Sequence, residues 1–186
     1  MRRSVTHLVT LCLFYACITD AGAAQSVSPD LAQVSGRVVQ HFREKHPGWK
    51  HETAQPPTPP GGAPSRDVAI HFWSSENCLT AELRLDGTSY GSKPVPCRFK
   101  LAIDQSASSV DARERLVGFV NNQRGDGFEP IQVGDKGYVW NGSRVVFVKG
   151  SFTFWLDGGA DLHVGDFSVN REFIERTAKE VSDAIN

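Results

Sequence analysis

The chain lacks any imbalance of charge. Its 186 residues carry 20 Lys and Arg against 21 Asp and Glu, a formal net charge of −1. That excludes the basic footprint with which proteins hold nucleic acid, and any block of like charge forming an acidic or basic tail. Beyond the N-terminus no segment approaches the roughly 18 apolar residues that span a bilayer. Cysteine is scarce, four in all. There is no C-x-x-C and no His cluster beside a cysteine, so the usual spacing of a zinc or thiol-redox site is missing. G-x-S-x-G, H-E-x-x-H, S-x-x-K, the P-loop and the dinucleotide fingerprint are missing as well. Nothing in the sequence calls for a cofactor.

What is present starts with MRRSVTHLVTLCLFYACITDAGAAQS. Arg2 and Arg3 precede an apolar stretch from His7 to Ile18, and Ala21-Gly22-Ala23 has the small-x-small form of a cleavage site. The expectation is a secretory signal peptide over residues 1–23 and an exported protein, periplasmic or extracellular. Lipid attachment at Cys17 is the alternative. Phe14 and Tyr15 weaken it, because a lipoprotein box has Leu and a small residue at those places. Cleavage removes Cys12 and Cys17 and leaves Cys78 and Cys97. In an oxidising compartment a lone pair reads as one disulfide. It closes a loop of about 20 residues, worth roughly 3 kcal/mol in the chain-entropy model.

Residues 24–53 read as an N-terminal helical segment. Ser28-Pro29-Asp30 is a helix start, and Leu31, Val34, Val38 and Phe42 recur on one face before Pro47-Gly48. His41, His46 and His51 stand five apart and share no helical face, so they read as solvated polar positions. Residues 54–65, rich in Pro and Gly, read as a linker or long loop. An α+β domain is expected over residues 66–186.

Within it Val68, Ile70 and Phe72 alternate, as do Leu79, Ala81, Leu83 and Leu85, and again Val95, Cys97, Phe99, Leu101 and Ile103. Asp86-Gly87 marks the turn between the second and third runs. Cys78 falls on the polar side of its run and Cys97 on the apolar side, so a regular hairpin is inconsistent with the bond, and a bulge or irregular crossing is expected there. Ser108 with Asp111 caps a helix whose buried stripe is Ala112, Leu116, Phe119 and Val120. The Arg124-Gly125-Asp126 that follows reads as a turn. A last helix begins near Ser168 or Asn170, with Phe173, Ile174, Thr177, Ala178, Val181 and Ile185 on one face.

Between these helices lies YVWNGSRVVFVKGSFTFWL, residues 138–156. With Asn141-Gly142 and Lys149-Gly150 as two-residue turns, the meander divides into two faces. Tyr138, Trp140, Val145, Phe147, Phe152, Phe154 and Leu156 form a core face. Val139, Arg144, Val146, Val148 and Trp155 form a mixed one, with Arg144 over Trp155 as a cation–π pair. The mixed face is either a ligand surface, with Arg144, Trp155, Val139 and Val146 as its candidates, or is covered by the first helix. Asn141-Gly142-Ser143 is also a glycosylation sequon.

Asp157, Asp161, His163 and Asp166 lie in one Gly-rich loop. The three aspartates are weak candidates for calcium, at a spacing that fits no calcium loop, and no metal is expected. The fold class expected is an antiparallel sheet of about six strands with helices packed mainly on one face and one disulfide. The function expected is a non-enzymatic binding or structural module for a protein or small ligand. The alternative is a secreted hydrolase assembled around His71 or His163.

Overall fold

The computed structural model of the chain describes residues 29–56, 67–85, 89–123, 127–160 and 167–186, with the backbone path alone for 29, 78–85, 89–95, 160 and 167–170. In chain order the elements are α1 (Pro29–Lys45), β1 (Lys50–Ala54), β2 (Val68–Leu85), β3 (Ser89–Gln105), α2 (Ser109–Asn122), β4 (Glu129–Ile131), β5 (Lys136–Trp140), β6 (Arg144–Lys149), β7 (Phe152–Ala160) and α3 (Phe167–Ala184). The strands form one antiparallel sheet in the order β1-β2-β3-β7-β6-β5-β4. This is an α+β fold with seven strands, not six. The difference has a local cause. KHETA (β1) and EPI (β4) are short edge strands without apolar alternation, and residues 68–85 run as one strand rather than two. The sheet is two local meanders, β1-β2-β3 and β4-β5-β6-β7, joined where β3 meets β7.

Two helices cover one face of the sheet and one covers the other. On the first face α1 contributes Leu31, Val38 and Phe42 and α3 contributes Phe173, Ile174, Ala178 and Val181. They pack on Trp73, Phe99, Leu101, Ile103, Val145, Phe147, Phe154 and Leu156. Phe42 is the hub: its ring lies 5.2 Å from Trp73, 5.4 Å from Phe99 and 6.1 Å from Trp49, and Trp73 stacks on Phe99 at 5.0 Å. Such ring pairs add stabilisation beyond the area they bury. On the second face α2 sets Ala112 and Leu116 against Trp140, Val146 and Val148, with Phe119, Tyr138 and Trp155 at the margin. Thus α2, not the first helix, covers Val146 and Val148. Its start is as expected: the Ser108 side chain accepts from the Asp111 amide at 3.1 Å and donates to the Asp111 carboxylate at 2.8 Å. At the end of α3, the Lys149 ammonium donates to the Ser182 carbonyl at 2.7 Å and to the Asn186 side chain, a cation at a helix C-terminus.

The meander registers differ from the two-residue-turn expectation in an instructive way. Trp140 pairs with Arg144 and Val139 with Val145, so Asn141, Gly142 and Ser143 all belong to the loop. Asn141 and Gly142 take φ 52° and 63°, as the motif requires, but the Ser143 carbonyl accepts from the Gly158 amide of β7 at 3.0 Å and is lost to the β5 ladder. A slip of one residue reverses faces. Val139 therefore joins the α1/α3 core, while Tyr138 and Trp140 join the α2 side. At the next turn Lys149 pairs with Phe152, with Gly150 at φ 57° inside the loop. That slip is two residues, so β6 and β7 keep the expected faces.

Opposite Arg144 stands Asp157, at 3.4 Å, not Trp155, which opposes Val146. In the β2–β3 hairpin the register shifts between Ser75 and Leu79, with Ser75 opposite Cys97 and Leu79 opposite Val95. The irregularity expected near Cys78 is there. Cys97 is 3% exposed. The Cys78 side chain, the turn at 86–88 and the Arg124-Gly125-Asp126 turn lie outside what is described.

Candidate binding cleft

Alternation in β2 places Ala69, His71 and Trp73 on the face that α1 and α3 cover, leaving Phe72 on the other side, 39% exposed. Strand β1 pairs with β2 so that His51 stands opposite Trp73 and Thr53 opposite His71. His51 and His71 are therefore diagonal neighbours under the flank of α1. Between that flank and the two strands lies a cleft of about 860 Å³. The helix lines it with Ala32, Ser35, Gly36, Val39, Gln40, Arg43 and Glu44, which recur at three- and four-residue steps. The strands supply His51, Thr53, Ala54, Val68, Ala69, Ile70 and His71.

A hydrogen-bonded chain crosses the cleft floor. The Ser35 hydroxyl lies 2.7 Å from His71 Nε2, and His71 Nδ1 lies 3.0 Å from His51 Nε2. His71 is 5% exposed. Burial, and then the neighbouring His51, push its pKa down from 6.5 to about 4, so it is neutral at physiological pH. The His51 pKa is lowered too, first by burial and then by the charge of Arg43. Both imidazoles thus act as neutral hydrogen-bonding groups.

Of the residues singled out from sequence, His71 lies in the cleft and the others fall elsewhere. Arg144 and Asp157 are exposed and paired with each other. Val146 is buried beneath α2, and Trp155 is half-buried with its ring edge-on to Phe119 at 4.7 Å. Val139 is buried on the opposite face. The four do not form one surface. Asp161, His163 and Asp166 lie outside the described residues. Among the described residues no group of three His, Cys, Asp or Glu is placed to hold a metal ion, and no helix is long and apolar enough to cross a membrane.

Two histidines read as solvated are engaged. His51 joins His71, and His46 meets Glu180 of α3 at 2.7 Å and stacks on Trp49 at 4.4 Å. Besides His71, the sequence carried one signal for the cleft: Ala32, Ser35 and Gly36, small residues on the flank of an otherwise bulky helix.

Comparison with protein-family models, with curated proteins and with solved structures finds no match to this chain.

Proposed function

We propose that the chain is an exported, non-enzymatic binding module and that the cleft between α1 and the β1–β2 edge is its ligand site. The observation that carries this is the cleft itself: apolar walls around a few convergent polar groups, the usual make-up of a small-molecule site. A Gly36→Leu variant tests it. A Cβ at Gly36 meets nothing within 4 Å, so the side chain grows into open space and the helix gains propensity. In a thermal-shift screen of small metabolites, hits should raise the Tm of the natural chain and lose that effect in the variant. Hits that act equally on both refute the reading.

The Ser35–His71 contact favours a second reading, a hydrolase with Ser35 as nucleophile and His71 as base. Three features count against it. His71 is oriented by a histidine rather than a carboxylate. Its depressed pKa makes it a weak base at neutral pH. Ser35 sits in the interior of α1, where the backbone amides are committed to the helix. Labelling of Ser35 by a fluorophosphonate probe would decide for the hydrolase.

Export after cleavage behind Ala23 or Ala24, and a Cys78–Cys97 bond, belong to the same proposal. The bond is supported by the break in the β2–β3 register beside Cys97 and by the burial of Cys97. Intact-mass measurement on protein from its host, with and without reductant, tests both. A retained N-terminus, a lipid on Cys17, or no two-hydrogen difference on reduction each overturns the corresponding part.

A further inference from the structure

The cleft is graded along its length. At one end the α1 side of the cleft is lined by Ala32, Ala69 and Pro56, with Thr53 and Gln55 beside them, next to the open space over Gly36. At the other end stand Arg43, Glu44 and His51. The contact of Phe42 with Trp73, the cross-strand partner of His51, fixes this direction, since it brings the C-terminal end of α1 to the His51 end of β1. From Ala32 to Arg43 the helix rises about 16 Å at 1.5 Å per residue.

The charged end is not self-neutralised. Glu44 is held by the Gln40 amide at 2.9 Å. Among the described residues no carboxylate pairs with Arg43, although other arginines form five ion pairs. Arg43 is the charge felt at His51. His51 spends Nε2 on His71, and its Nδ1 has no partner among the described residues. If Ser35 donates to His71 Nε2 and His71 Nδ1–H donates to His51, then His51 Nδ1–H is a donor at the same end as the guanidinium.

We propose that the ligand is an amphipathic carboxylate, a medium-chain fatty acid or its chemical equivalent, with its head on Arg43 and His51 and its chain along Ala32, Gly36 and Ala69. The inference rests on the cleft being the ligand site. A carboxylate supplies the missing partner of Arg43 in charge-assisted, bidentate geometry. The alkyl chain meets the end where Ala32, Ala69 and Pro56 stand and no charged side chain lines the cleft. The anion also selects the direction of the Ser35–His71–His51 chain, because it accepts from Nδ1 and cannot donate to it.

The experiment is calorimetric titration of the purified protein with decanoate, decanol and decylamine, repeated on Arg43→Gln and Gly36→Leu. Decanoate is expected to bind at least about tenfold more tightly than decanol, the usual worth of a hydrogen bond to a charged group. Arg43→Gln should remove that margin, and Gly36→Leu should abolish binding without lowering Tm. Decanol or decylamine binding as tightly as decanoate, or a margin that survives Arg43→Gln, overturns the carboxylate assignment and leaves the cleft standing. Binding that Gly36→Leu does not weaken, or none of the three probes binding, overturns the assignment outright. In the latter case the metabolite screen above decides separately whether the cleft reading survives.

Discussion

Acidification from pH 7 to pH 4 is expected to cost the fold about 3 kcal/mol through His71 alone. In the folded chain His71 stays neutral down to about pH 4, because it is buried and its neighbour is a second imidazole. In the unfolded chain it takes up a proton near pH 6.5. Between these values the unfolded chain binds more protons, so stability falls as pH drops through the window, and the loss is complete below about 4. A shift from 6.5 to about 4 corresponds to roughly 3 kcal/mol at about 1.4 kcal/mol per pH unit. His51, lowered for the same first reason, acts in the same direction. Carboxylates titrate in this range too, so the readout is a difference. Urea midpoints followed by tryptophan fluorescence would be taken at half-unit steps from pH 7.5 to 3.5 for the natural chain and for His71→Gln. The natural chain should lose stability faster, and the two curves should converge by about 3 kcal/mol as pH falls. Parallel curves would refute the argument, since they would mean His71 protonates in the fold as readily as outside it.

Other expectations follow from packing. Thr153 is 2% exposed on the α2 face and its hydroxyl has no hydrogen-bond partner among the described residues; Thr153→Val should stabilise by about 1 kcal/mol in chemical denaturation, because an unmet polar group leaves the interior. Phe42→Ala removes the hub of the aromatic cluster and should cost about 3–5 kcal/mol, with loss of near-ultraviolet circular dichroism. Ser108→Ala should cost about 1 kcal/mol, because the Asp111 amide loses its acceptor; an unchanged midpoint would show that water replaces the cap.

The helices were legible because their signals are local. The periodic stripes of α1, α2 and α3, and the Ser108 cap, are all in place. The long strands were legible for the same reason, through alternation in 97–103 and 144–156. The short edge strands were not, since an edge strand buries little and KHETA shows no apolar pattern. The faces of β5 turned on whether Ser143 belongs to the turn or to β7, a choice made by a partner 15 residues away. The site was the least legible part. His71 stood out beside Phe72 and Trp73, but Ser35 lies in a helix 36 residues earlier, and His51 lies in a strand that pattern alone does not reveal.

The junction of β3 with β7 has a kinetic side. Each meander is assembled from neighbours in sequence, β2 turning directly into β3 and β5, β6 and β7 turning one into the next. The junction instead closes on the order of 50 residues of chain, and contacts of such range slow folding. It also tolerates no added atom at Gly158, opposite Phe99: a Cβ there would stand 2.4 Å from the Arg98 carbonyl oxygen and 2.5 Å from the Phe99 Cα. Pairing β3 with β7 is thus the long-range step of assembling this sheet, and it runs through a position where only glycine fits.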